Sequence, residues 1–204
     1  MISIEKPWHI LNVDMTQAIN PKYQHIPPKD KHWDIISYNY WNLEKIFNPD
    51  WIEYMKSINL EVSHALVFWR EPRYTHASAH IDLAFTTDGR LAKSYNYAVN
   101  YCLGEDPGEM IWYDPIDSID RNDYKFSDAG TPYIDISLDK LTEIGRHSIG
   151  NQLTLVRVDI PHNIEILKNM PRTCISIRLR TDIKDNSTPT WDDLVAYTSK
   201  HIRI

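Results

Sequence analysis

The spacing of apolar side chains changes period near residue 60. Before that point, NPDWIEYMKSIN sets Trp51, Ile52, Met55 and Ile58 at helical spacing, with Asn48 placed to cap the first turn and Pro49 suited to it. After it come short runs rich in β-branched and aromatic residues: VSHALVFWR (62–70), AHIDLAF (79–85), SYNYAVNYCL (94–103), EMIWYD (109–114), TPYIDI (131–136), NQLTLVRVDI (151–160) and RTCISIRLR (172–180). Strand-length runs separated by turn residues such as EPRYTH and DGR predict a mainly antiparallel sandwich or barrel. Two more helices are expected. One is a short helix over 137–144 stopped by Gly145, and the other covers 190–200 with Asp192 and Asp193 in its first turn. The expected class is mainly β with flanking helices (α+β).

Composition narrows the field. The 204 residues carry a net charge of −6, with six glycines, twelve prolines and no repeat or Gly/Ser linker. A single domain over 1–204 is expected, divided into an aromatic N-terminal region with a helix (1–60), a β core (62–180) and a C-terminal helix (181–204). The first region holds Trp8, Trp33, Trp41 and Trp51, which read as core filler beneath a sheet. No run of 18 apolar residues predicts a membrane span, and MISIEKPWHILNVDM lacks the layout of an export signal, so a cytoplasmic location is expected. An acidic balance argues against nucleic acid as a partner. Cys102 and Cys174 are too few for a disulfide framework and read as small buried thiols. Nine histidines in so acidic a chain then need placing.

The segment Ala79-His80-Ile81-Asp82-Leu83 puts a histidine and a carboxylate two residues apart on a strand, so both project from one face and can grip one metal ion. Downstream, in VRVDIPHNIEILKNMPRTCISIRL, His162 closes one strand-like run and Arg172 opens the next ten residues later. Two imidazoles and one carboxylate make a facial triad with open coordination positions. The planar fork of arginine is the natural partner for a carboxylate ligand. His147 is a rival for His162, because Arg157 also follows it by ten residues. That choice would leave RTCISIRLR surplus and no strand leading into the histidine. With His162, Val156, Val158, Ile160 and His162 line one face of a strand. Arg178 shares the parity of Arg172 and is a second choice for an anion.

The ordered set His80-x-Asp82, His162, Arg172 resembles the 2-oxoglutarate/Fe(II)-dependent dioxygenases. Its His-x9-Arg spacing, followed by the apolar strand TCISIRL, is most similar to the aspartyl/asparaginyl β-hydroxylase-like branch, over roughly residues 62 to 180. The resemblance implies a double-stranded β-helix (jelly roll, cupin-like) core of about seven to eight strands. It implies Fe(II) held by the catalytic ligands His80, Asp82 and His162, and 2-oxoglutarate as co-substrate with its far carboxylate on Arg172. It also implies hydroxylation of a C–H bond with release of succinate and CO2; a small amino-acid-like substrate is expected because a short chain with no extra module has little surface for a large partner. Two departures stand out. Aspartyl/asparaginyl β-hydroxylases lack the carboxylate ligand that Asp82 provides here, and a carboxylate favours hydroxylation over halogenation. Many members carry serine two residues after the arginine, where this chain has Cys174, with Ser176 two further on as the candidate contact.

In related oxygenases the strand after the His-x-Asp pair supplies polar contacts to the co-substrate. In SYNYAVNYCL, Asn96, Ala98, Asn100 and Cys102 share one parity and Tyr95, Tyr97, Val99 and Tyr101 the other, which makes Asn100 the candidate contact. Trp112 is expected to point inward rather than Tyr113. His32, His64 and His76 read as structural, with His76 near enough to the pair to serve a substrate. Asp114, Asp117, Asp120 and Asp123 lack the spacing of a calcium loop and read as a solvated acidic loop. Two alternatives remain: a hydroxylase of protein or peptide side chains, and a non-oxygenase metal-binding or structural jelly roll. An acidic protein that binds a dianion must concentrate positive charge locally, and iron with Arg172 is the expected place.

Overall fold

A computed structural model describes residues 6–11, 18–23, 35–40, 42–57, 60–72, 78–83, 97–103, 108–120, 122–127, 130–150, 152–166, 170–181 and 191–201. In chain order the strands are β1 (Trp8–Ile10), β2 (Ile35–Tyr40), β3 (Leu60–Arg70), β4 (Ser78–Asp82), β5 (Tyr97–Leu103) and β6 (Glu109–Pro115). They continue with β7 (Lys125–Phe126), β8 (Pro132–Ser137), β9 (Leu141–Ser148), β10 (Thr154–Arg157), β11 (His162–Glu165) and β12 (Arg172–Thr181). Helix α1 (Pro49–Ser57) precedes β3, and α2 (Trp191–His201) follows β12. No helix among the described residues is long and apolar enough to cross a membrane.

The strands form two antiparallel sheets, ordered β1-β10-β5-β12-β3-β2 and β7-β8-β4-β11-β6-β9. From β3 to β6 and again from β9 to β12 the chain passes between the sheets. The last strands insert between the first ones: β12 lies between β3 and β5, and β11 between β4 and β6.

Side-chain alternation along the strands builds two apolar layers. The outer face of the first sheet, with Tyr97, Val99, Tyr101, Ile175, Ile177 and Leu179, packs against Trp51 and Met55 of α1 and Trp191 and Leu194 of α2. Its inner face presents Ala98, Cys102, Cys174 and Val156 to Met110, Trp112 and Ile164 of the second sheet. Helix α1 starts where its sequence predicts, since Asn48 Oδ1 accepts the Asp50 N–H at 3.1 Å.

Two expectations are corrected. Only Leu138–Lys140 of the stretch 137–144 is helical, as one 3-10 turn, and Leu141 onward belongs to β9, which pairs with β6 through Gly145 opposite Trp112. The run 151–160 is not one strand leading to His162. β10 ends at Arg157, whose guanidinium forks onto Asp159 at 2.8 and 3.0 Å, and the chain crosses to the second sheet, where His162 opens β11. Pro161, with no N–H to give a ladder, sits at that crossing. Its carbonyl accepts the Tyr113 N–H and the Val158 carbonyl accepts the Asp82 N–H, both at 2.9 Å. The region 1–60 also adds β1 and β2 to the first sheet beside its helix. Residues 84–85 and 94–96 of the expected strands lie outside the described residues.

Candidate metal centre

Alternation on β4 buries Ala79 and Ile81 on one face and turns the half-buried His80 and Asp82 to the other. His162 is the register partner of His80 on β11, and the two rings lie 4.3 Å apart, centroid to centroid. His80 Nε2 is 3.7 Å from Asp82 Oδ1, and the ligating atoms of His80, Asp82 and His162 all lie within 4.8 Å of one another. Among the described residues this is the one cluster of three potential metal ligands.

Second contacts fix the chemical state of His162 and Asp82. His162 Nδ1 donates to the Ile160 carbonyl at 3.0 Å, which leaves Nε2 as the lone-pair donor. Burial lowers the pKa of His162 against the pull of Asp82, so the imidazole stays neutral, the form that binds metal. At Asp82 burial pushes the pKa up, but Arg178, His80 and His162 together outweigh it and hold the carboxyl at about 2. The largest of these, Arg178, donates from Nη2 to Asp82 Oδ2 at 2.7 Å.

The cluster opens into a cavity of about 340 Å³ between the sheets, a size suited to a small ligand. The inner face of β12 contributes Arg172, Cys174, Ser176 and Arg178, and Asn100 of β5 and Arg70 of β3 stand beside them. Arg172 is 1% exposed and donates from Nη2 to Cys102 Sγ at 2.9 Å. Asn100 is buried with no hydrogen-bond partner for Oδ1, so its amide faces the cavity with unmet capacity. Val158, Ile164, Met110 and Phe68 supply apolar wall.

The structure therefore brings His80, Asp82 and His162 together and puts Arg172, Asn100 and Ser176 on the same cavity. Arg178 also points inward, at Asp82. His147 does not join them. It lies on β9, with β11 and β6 between it and β4, and stacks on Trp8 at 5.1 Å, which in turn stacks on Trp112 at 5.2 Å. Trp112 is fully buried on the inner face, while Tyr113 points the other way and donates to Asn163 Oδ1 at 3.1 Å. His64 is half-buried on β3, and Asp114, Asp117, Asp120 and Asp123 are exposed. His32 and His76 lie outside the described residues, as do Trp33, Trp41, Tyr95 and Asn96. Sequence reasoning missed Arg70, Ser78, Tyr133 and Asp135, all cavity-lining. For Arg70 a signal existed: a charge ending an apolar strand. For the other three there was none.

No family model matches the sequence, and no curated protein is detectably similar to it. The donor set itself is informative. Two imidazoles and an ionised carboxylate on one side of a cavity can hold a divalent transition metal and leave positions open toward the cavity.

Proposed function

We propose that this protein is an Fe(II)- and 2-oxoglutarate-dependent dioxygenase that hydroxylates a C–H bond of a small amino-acid-like substrate, releasing succinate and CO2, on a double-stranded β-helix (jelly-roll) frame. One observation carries the reading: His80, Asp82 and His162 converge within 4.8 Å in a cavity that also holds the buried Arg172. The frame is supported by the interlocked sheet order, with β12 between β3 and β5 and β11 between β4 and β6.

The residues divide the work. His80, Asp82 and His162 hold the iron, with His162 kept in one tautomer by Ile160. Bound Fe(II) with 2-oxoglutarate supplies oxygen activation coupled to oxidative decarboxylation. Arg172 clamps the distal carboxylate of the oxo-acid, and Asn100 and Ser176 offer neutral polar contacts from the same wall. Arg178 keeps Asp82 ionised and oriented. The apolar residues Val158, Ile164 and Phe68 limit water around the reacting centre. The rim gives a second reading some support, because exposed Phe126, edge-on to Tyr124 at 5.7 Å, borders the cavity and suits a peptide side chain as substrate.

Anaerobic titration with Fe(II) and then 2-oxoglutarate tests the proposal. Binding of both with a weak visible charge-transfer absorption is expected, and neither should bind His162→Ala tightly. Succinate formation against a panel of amino acids and short peptides then separates the two substrate readings. Absence of both binding and the absorption would sink the oxygenase assignment.

A further inference from the structure

We infer that Cys102 and Cys174 form a peroxide-reactive dithiol at the arginine end of the cavity, and that its closure to a disulfide alters Arg172 and so gates anion binding there. The gating rests on the oxo-acid reading of Arg172, whereas the dithiol stands independently of it.

The pairing is written in the sheet. Cys174 on β12 and Cys102 on β5 are register partners on adjacent antiparallel strands. Opposed Cα atoms there lie about 4.5–5.5 Å apart, within the span of about 4.4–6.8 Å that a disulfide bridges. Both thiols are free and buried, and they project from the same inner face of the sheet. Cys174 lines the cavity while Cys102 lies behind it, so a small oxidant reaches one sulfur first. The Arg172 guanidinium lies against the pair, with Nη2 at 2.9 Å from Cys102 Sγ. Packing alone would be met by two small apolar residues and gives no reason for a buried guanidinium on a sulfur.

The two sulfurs are also unequal. The neighbouring Cys102 thiol lowers the pKa of Cys174 against burial, with help from Arg172 and Arg70, while burial pushes that of Cys102 up. Because Cys174 is the one that lines the cavity, it is the attacking thiolate and Cys102 the resolving thiol. With hydrogen peroxide as oxidant, the Cys174 thiolate attacks one peroxide oxygen and the O–O bond breaks. Cys174 is left as a sulfenic acid, and the departing hydroxide takes up a proton as water. Cys102 sulfur then attacks Cys174 sulfur, the S–O bond breaks, and the hydroxide leaves with the Cys102 proton as a second water. In sum, two thiols and one peroxide give one disulfide and two waters. The bridge draws the Cys102 sulfur that Arg172 contacts toward Cys174, and the guanidinium shifts with it.

The test uses the full chain, metal-free so that iron-driven oxidation does not intrude. It is treated with hydrogen peroxide, alkylated and read by mass spectrometry. The expected product is two hydrogens lighter, yields one Cys102–Cys174 cross-linked peptide and reverts with dithiothreitol. In Cys102→Ala, which lacks the resolving thiol, dimedone should trap a sulfenic acid at Cys174. Wild-type protein whose thiols both remain alkylatable after peroxide overturns the dithiol, whatever the variants do. Calorimetry with 2-oxoglutarate on the Fe(II)-loaded protein under anaerobic conditions then reads the gating, with at least a tenfold loss of affinity expected on oxidation. Equal affinity in both forms overturns the gating alone. No affinity in the reduced form overturns the oxo-acid reading, and the gating with it, but leaves the dithiol.

Discussion

At Asp82 the two carboxylate oxygens face different partners: Oδ2 accepts from Arg178 at 2.7 Å, and Oδ1 lies 3.7 Å from His80 Nε2. The arginine leaves one oxygen turned toward the imidazoles and sets the acid stability of the metal-free protein. Asp82 titrates at about 2 in the fold against an ordinary 3.8, so the unfolded chain takes up its proton first. Its stabilisation, about 2 kcal/mol for a shift of this size, is complete above the unfolded value and is lost as pH falls through the folded one. His162 is also depressed, from 6.5, so its contribution begins to fade once pH drops below that value. Stability should therefore fall in two stages on acidification, His162 first and Asp82 second. Arg178→Ala should cost about 2 kcal/mol at neutral pH, by stranding a half-buried carboxylate, and should flatten the second stage. Urea melts from neutral to acid pH check both, and an unchanged second stage would refute the pairing. Arg172→Ala should instead raise the apparent KM for 2-oxoglutarate by roughly tens to hundreds of fold. Succinate assays measure this, and an unchanged KM would move the clamp to Arg70 or Arg178.

Among the elements, Gly108 at the start of β6 couples backbone geometry to the anion end of the cavity. Gly108 has φ +64°, and a Cβ there would meet the Glu165 carbonyl at 2.7 Å and Arg172 Cδ at 3.4 Å. Gly108→Ala should thus destabilise the fold by roughly 1–3 kcal/mol through backbone strain and displacement of β11. It should weaken 2-oxoglutarate binding as Arg172 moves. Thermal melts and calorimetry read the two effects, and wild-type values for both would show that the backbone at Gly108 adapts freely. The same elements show what the sequence could reveal. β5 is buried on both faces and carries a nearly continuous apolar run, while β12 alternates Ile175, Ile177 and Leu179 with polar side chains, and these patterns announced them. β4 showed its period of two, and that alone aligned His80 with Asp82. β9 is an edge strand with both faces partly wet, so LTEIGRHS carries little alternation and its first half, LTEI, was read as helix. β7, with two residues, has no period to detect. The join at His162 was misread because VRVDI continues the apolar pattern past the place where the chain changes sheet, although Pro161 was in view as the break. Arg178 could be given a direction from its parity, but its partner Asp82, 96 residues away, depends on a sheet-to-sheet approach that no local pattern encodes.

For the whole molecule, the charge distribution runs against the total. A chain of net charge −6 lines one cavity with Arg70, Arg172 and Arg178 and only two carboxylates, Asp82 and Asp135. Asp135 sits toward the rim, where Lys125 approaches it at 3.4 Å, so the interior potential is positive although the surface is acidic. That arrangement suits an anionic ligand drawn past its own charge type into a desolvated pocket. The metal ligands also straddle the thinnest seam of their sheet. β4 and β11 share a single register pair, His80 with His162, whereas β12 pairs with β3 from Arg172 to Thr181. An ion bound by His80 and Asp82 on one side and His162 on the other would cross-link two strands at the place where the backbone ladder holds them least. Metal loading should therefore stabilise the native state beyond filling a surface site, because the unfolded chain separates the ligands by some eighty residues of sequence. At about a hundred times its Kd the metal should add about 2.7 kcal/mol, a rise in Tm of roughly 5–10 °C for a chain of this size. A chelator should reverse the rise, and His162→Ala should abolish it when each melt is read against that variant's own metal-free Tm. Because the gain is referred to the apo protein, the measurement is independent of turnover. Identical melting with saturating Mn(II), with Fe(II) and with chelator would mean that no ion bridges β4 and β11, and the catalytic reading would lose its metal.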